Sequence, residues 1–268
     1  MRALEALLLW STVGLYFVDF FIMLYAVVFG RRSLVRPGWL AAVAAFLFHS
    51  ATIANRWIES GHPPVLWRFE HALAGSWLVA AIYLAVGRAA PQLRVLGVTV
   101  TPFVILMLGY GIMGGPASVE PLPPPYQSNW LWVHVFFAWA AYGAFVVAAA
   151  VGVYYLVKAR GAGRDEVRLA SLDELCFRVV IFGFVSLTVE IGAGAIWAYG
   201  LWGRYWGWDP IETWSLVTWV VYGLNIHLRA SYGWKGSRAA WLAIASLAAV
   251  LVTFGGIGFI GGVHTPLL

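Results

Sequence analysis

Eight separate apolar stretches of membrane-spanning length constrain this chain more than any other feature. They run at approximately 6–29, 39–57, 72–87, 95–113, 130–157, 171–200, 213–230 and 239–262, and the third is the shortest. A helix needs about 20 predominantly apolar residues to cross the hydrocarbon of a bilayer, and inside lipid every backbone polar group must find its partner within the protein. The fold expected is therefore an all-α integral membrane protein, a bundle of about eight transmembrane helices. With 62% hydrophobic and only 11% charged residues, and a mean hydropathy of +0.79, the loops leave no room for a soluble domain. A single transmembrane domain over 1–268 is expected. The first run lacks a small-residue cleavage site and continues into Gly30-Arg31-Arg32, so it reads as a retained span and not as a removed signal peptide.

Basic residues set the expected orientation. Arg31, Arg32, Arg36, Arg88, Arg94, Lys158, Arg160, Arg164, Arg168, Arg229, Lys235 and Arg238 follow runs one, three, five and seven, whereas only Arg2, Arg56, Arg68 and Arg204 fall on the other side. Both termini are therefore expected to face outward. The net charge of +5 is then a topology signal spread over short loops, which argues against nucleic-acid binding. Between Gly114 and Asn129 an outward loop carries Pro116, Pro121, Pro123, Pro124 and Pro125 and should be extended and semi-rigid. The single cysteine, Cys176, excludes an intramolecular disulfide and a CxxC pair, so any thiol chemistry uses a partner's cysteines.

One loop is unlike ordinary interfacial sequence. Between runs six and seven, Trp202-Gly203-Arg204-Tyr205-Trp206-Gly207-Trp208-Asp209-Pro210-Ile211-Glu212-Thr213-Trp214 packs four tryptophans and a tyrosine among helix breakers and charges. Single aromatic residues collect at membrane interfaces in any membrane protein, but an anchoring belt requires neither this spacing nor the Asp-Pro-x-Glu run. The loop is expected on the outer face, as a flat aromatic shelf that holds something large and apolar.

The histidines sort by depth. His134 lies about one turn inside run five, and His264 follows run eight. Both are expected on the outer face, as two axial ligands to a flat metal macrocycle, for which neutral imidazole is a common donor. His227 lies about fourteen residues into run seven, roughly 21 Å along a helix, toward the inner leaflet. His49 sits near the middle of run two, where a ligand role and a packed, hydrogen-bonded role weigh equally. His62 reads as a solvated loop residue. Asp19 and Glu190 are buried acids whose partners the sequence does not reveal.

Taken together, Gly194-Ala195-Ile196-Trp197, Trp202-Gly203-x-Tyr205-Trp206-x-Trp208-Asp209-Pro210-x-Glu212-Thr213-Trp214, Trp219 and His227-Leu228-Arg229 resemble the WWD region of CcsA (ResC-type) cytochrome c biogenesis proteins. The likeness extends to Ser60-Gly61-His62-Pro63 with Glu70, to Asn129-Trp130-Leu131 with His134, and to Gly256-Ile257-Gly258 before His264. It implies a haem-handling segment at about 197–219. His134 and His264 would be the outward haem ligands and His227 a transmembrane one, with Trp202, Trp206, Trp208, Asp209 and Trp214 at the haem b. The second transmembrane ligand would come from a CcsB (ResB)-type partner, so the resemblance does not assign His49.

The function implied is the haem-handling subunit of a System II cytochrome c synthase, which holds reduced haem for thioether attachment to the CxxCH segment of apocytochrome c. Thiol-reducing proteins form a further class of partner. The membrane would be a bacterial plasma membrane or a thylakoid membrane, with loop and termini on the periplasmic or lumenal side. Three departures from the family pattern stand out: Glu190 in place of a small or apolar residue, His71 after Glu70 in place of serine, and Tyr199-Gly200-Leu201 in place of a polar run. None of them is expected to touch the ligands, and Glu190 bears on how tightly run six packs. Two alternatives remain at this point: a CcmC- or CcmF-type haem delivery protein, and a b-type cytochrome with ligand pairs on facing helices, for which His227 and His49 are the only candidates.

Overall fold

The computed structural model describes residues 3–114, 119, 121–161 and 165–253. Eight α-helices occur among them: α1 (Ala3–Val28), α2 (Val35–Ser60), α3 (Arg68–Ala89), α4 (Gly97–Met113), α5 (Asn129–Arg160), α6 (Glu166–Trp202), α7 (Pro210–Tyr232) and α8 (Ser237–Leu251). Six helical segments, 3–28, 32–60, 68–89, 91–113, 129–160 and 166–202, are long and apolar enough to cross a membrane, and α8 is a shorter apolar helix. The chain is an all-α integral membrane protein. Its third span is not short: α3 begins four residues earlier than the hydropathy run, because Arg68, Phe69, Glu70 and His71 are already helical. The last part of the eighth run lies outside the described residues.

The backbone forms two compact units, Met1–Pro124 and Pro125–Leu268. In the first, α1 buries one face, with Glu5, Leu9, Thr12, Tyr16, Asp19, Met23 and Ala26 recurring at three- and four-residue steps. Four of those seven side chains are polar, which lipid tolerates only when they are paired. Glu5 and Glu70 flank Arg56, whose Nε donates to Glu70 Oε1 at 2.8 Å and whose Nη1 donates to Glu5 Oε1 at 3.3 Å, all three side chains being 1% exposed. Arg56, counted on the outer side by the topology reading, is thus the cation of a buried triad. The second Glu70 oxygen accepts the Leu66 N–H at 2.7 Å. Lower down α1, the Thr101 hydroxyl donates to Asp19 Oδ2, which identifies the partner of that acid.

The second unit is built on α5, whose buried residues run from Leu131 to Leu156. Phe145 stacks on Tyr222 of α7 with ring centroids 3.4 Å apart, and Gly183 of α6 lies directly against the Phe145 ring. Hydrogen bonds between helices add to packing where no water competes. Trp219 Nε1 donates to Thr188 Oγ1 at 2.8 Å between α7 and α6, and Asn225 Nδ2 donates to Ser246 Oγ at 2.8 Å between α7 and α8. Near the far end of α7, Arg229 bonds Asp173 at 2.8 Å, and the other Asp173 oxygen accepts the Gly236 N–H at 2.8 Å. At 37 residues, α6 is roughly 55 Å long against about 30 Å of hydrocarbon. Its ends therefore reach past the lipid, and one of them carries the tryptophan loop.

Candidate functional site

The loop begins where α6 stops. Gly203 takes a left-handed conformation, φ 68°, and returns its N–H to Tyr199 O, a termination that glycine adopts without the steric cost of a Cβ. The loop ends on a capping box. Asp209 Oδ1 accepts the Ile211 N–H at 2.9 Å, while Glu212 Oε2 accepts the Gly207 and Asp209 N–H groups at 2.7 and 3.2 Å. The Asp-Pro-x-Glu run thus starts α7 and folds the preceding turn over onto it. Trp208, held between these bonds, has φ 58°, a left-handed backbone rare for a large side chain, and is 69% exposed.

The aromatic rings do not form one flat shelf. Trp206 and Trp208 meet edge to face at 85° with centroids 5.8 Å apart, Tyr199 and Tyr205 stack at 4.4 Å, and Trp202 meets Trp197 at 67° and 5.7 Å. Edge-to-face pairs satisfy the ring quadrupoles better than a coplanar array does. Trp206 Nε1 is buried and has no hydrogen-bond partner among the described residues. Trp214, partly exposed, stands on the first turns of α7.

His134 occupies the second turn of α5, against α6. Its Nδ1 lies 3.0 Å from the backbone oxygen of Glu190 and 3.5 Å from the Glu190 carboxylate. Both atoms are acceptors, so Nδ1 carries the proton and Nε2 bears the lone pair. The ring comes this close because residue 194 is glycine: a Cβ there would stand 2.6 Å from Nδ1. The imidazole also lies at 19° to the Trp197 ring, with centroids 6.3 Å apart, and Trp197 is itself fixed by donating to Pro125 O at 3.0 Å. A single face of α6, Glu190, Gly194 and Trp197, therefore receives His134, and Trp197 connects it to Trp202 at the root of the loop.

The other histidines are placed elsewhere. His227 is exposed one turn from the far end of α7, with Ser231 Oγ 3.3 Å from its Nδ1 and the Tyr232 ring at 5.7 Å. Seventeen residues from Pro210, it is roughly 26 Å along the helix from the loop and shares no site with His134. His49 is fully buried, its Nε2 bonded to Leu73 O at 2.9 Å and its Nδ1 3.3 Å from the Tyr16 hydroxyl. Both ring nitrogens are committed, so it is a packing residue, and the pair that a b-type cytochrome would need loses a member. His62 is not solvated: it is 5% exposed, with Nδ1 2.8 Å from Pro63 O. His264 lies outside the described residues. Glu190, expected to leave the ligands untouched, sits directly against His134. The i, i+4, i+7 spacing of Glu190, Gly194 and Trp197 was visible as one helix face, but nothing in the sequence said which helix it meets.

Residues 66–264 match the cytochrome C assembly protein family. The chain belongs to that family. The matched range contains His134, the tryptophan loop and His227 and ends on His264. Relatives named cytochrome c biogenesis protein CcsA are 33% identical in Synechococcus sp. (strain CC9605), over 88% of this chain and 87% of the relative, and 30% identical in Guillardia theta, over 85% and 84%. In Chlamydomonas reinhardtii the identity is 30%, over 90% of this chain and 70% of the relative. Among solved structures, the cytochrome c heme lyase CcmF superposes with a TM-score of 0.67 at 20% identity, over 95% of this chain. The chain spans about half of that protein, 47% of its length, and the likeness carries the fold alone. This assembly protein is thus of the CcsA type and functions in cytochrome c biogenesis.

Proposed function

We propose that the chain is the haem-handling subunit of a membrane cytochrome c synthase, acting with a CcsB/ResB-type partner. Its substrates are haem b and the CxxCH segment of apocytochrome c, and each thioether forms when a cysteine S–H adds across a haem vinyl group, with no net oxidation. The observation that carries the reading is the seat of His134: an imidazole whose Nδ1 is held by α6, which makes Nε2 the nitrogen proposed to coordinate iron, next to tryptophans that root the aromatic loop. His264 is proposed as the second ligand. Trp206 Nε1, a buried donor with no partner among the described residues, suits an acceptor on the cargo, and the exposed Trp208 offers apolar surface. The basic-residue asymmetry supports placing this end on the outer face of the membrane.

This chain's part in the reaction is geometric. Two imidazoles fix the iron and the loop restricts the ring, so the vinyl groups meet the incoming thiols at high effective concentration. Release follows when the histidine of CxxCH displaces one ligand. The test is the absorption spectrum of the chain purified with and without its partner. Wild type should show a bis-histidine haem, His134→Ala should lose it together with holocytochrome c formation, and added imidazole should partly restore both. An unchanged spectrum in His134→Ala would refute the assignment.

A further inference from the structure

We infer that Glu190 is a positioning residue for the iron-binding nitrogen of His134, holding its Nδ1 from the backbone and the side chain at once and strengthening the imidazole as a donor. The inference rests on the reading of His134 as a haem ligand and deepens it. Glu190 is an acid in the middle of a membrane helix, 3% exposed, with no cationic side chain paired to it among the described residues. Its Oε1 is 3.5 Å from His134 Nδ1, and its Oε2 has no hydrogen-bond partner among the described residues. Such a group is expensive to keep in lipid, and leucine would fill the space without that cost. The polar side chains near it are the His134 ring and Tyr142, and the histidine is the one whose ring nitrogen it meets.

The chemistry follows from the contact. A carbonyl oxygen at 3.0 Å fixes the tautomer and the plane of the ring. A Glu190 carboxylate oxygen 3.5 Å from the same N–H would, when ionised, draw the proton toward itself and make Nε2 more electron-rich, which tightens the iron bond and favours the oxidised metal. Gly194 lets the ring reach both acceptors, and Trp197 covers its face. Position 190 therefore sets how firmly the cargo is held before the peptide's histidine competes for the iron.

The measurement is the spectrum and midpoint potential of haem bound to the full-length chain, compared between wild type and Glu190→Gln. Glutamine keeps the shape and cannot ionise. Haem should stay bound, with a rise of roughly tenfold in the reduced-to-oxidised ratio at a fixed poise, about 59 mV for one electron, and partial return in Glu190→Asp. A silent Glu190→Gln would make this a merely packed acid.

Should Glu190→Gln fail to accumulate, His134→Ala loaded with haem plus either imidazole or 1-methylimidazole decides the matter. Both bases coordinate iron, but only the first has an N–H to give to Glu190. The 1-methylimidazole complex should have the more positive potential and the weaker binding, and equal values would overturn the inference. Failure of the underlying reading looks different: His134→Ala then keeps the wild-type spectrum, which removes both claims. Loss of that spectrum combined with a silent Glu190→Gln removes this one alone.

Discussion

At the residue scale, the seat of His134 depends on what is missing from its neighbour. The ring touches the backbone of α6 because position 194 has no side chain, and a Cβ there would stand 2.6 Å from Nδ1 and 2.9 Å from Cε1, closer than non-bonded atoms approach. Gly194→Val therefore has to displace the imidazole, while valine costs the helix itself no more than glycine does. The expected result is normal protein accumulation and helicity, with haem occupancy down by about tenfold or more, a change of at least roughly 1.4 kcal/mol in binding. The check is haem absorbance per milligram of purified protein beside circular dichroism. Normal haem in a folded Gly194→Val would show that the contact with α6 does not position the ring. His49 shows the opposite use of the same side chain. It is buried with both nitrogens bonded to Tyr16 and Leu73, which depth in the membrane alone did not distinguish from a ligand.

At the element scale, the shape of the loop follows from how two helices end and begin. Glycine in the left-handed region stops α6, and the capping box starts α7 while tying Gly207 back to Glu212. Removing such an acceptor leaves the Gly207 and Asp209 N–H groups unsatisfied, and the loss of a cap costs about 1 kcal/mol. Glu212→Ala should lower thermal stability by about 2–4 °C and weaken haem binding, whereas Glu212→Gln, still an acceptor, should do neither; thermal melts and haem titrations of the two variants read this. The Asp-Pro-x-Glu run was legible in the sequence as a feature that an anchoring belt does not need, and its structural meaning is this cap. The helices were equally legible, since runs of spanning length leave the backbone no other solution in lipid. The mutual angles of the tryptophans were not, because composition fixes how many rings a loop has and not how they pack. Nor were the partners of Glu5, Asp19 and Glu190, since pairing between helices depends on which faces meet, and no periodicity in one helix records its neighbour.

At the scale of the whole molecule, the two proposed haem positions of the second unit are separated by the length of α7. His134 is seated at the loop end of the unit, whereas His227 is exposed one turn from the other end of α7, roughly 26 Å from where that helix begins. A haem macrocycle is about half as wide as that, so one molecule does not bridge them. His227 is exposed, with Ser231 and Tyr232 beside it, and under the proposed haem role its second ligand would come from a CcsB/ResB-type partner. Arg229, two residues further on, is held by Asp173 and Glu174 at 2.8 and 3.2 Å, which steadies this end of α7 beside the basic loops that would attract propionates. If haem is loaded at His227 and passed to the loop end, the two positions are filled in order. The expected outcome is then asymmetric: His227→Ala, co-purified with the partner, loses haem from both positions, whereas His134→Ala keeps the haem at His227 and lacks only the other. Haem content and ligand spectra of the two variants measure this directly. Full loading at the loop end in His227→Ala would mean that haem reaches His134 by another route and that His227 is an exposed helix residue bonded to Ser231.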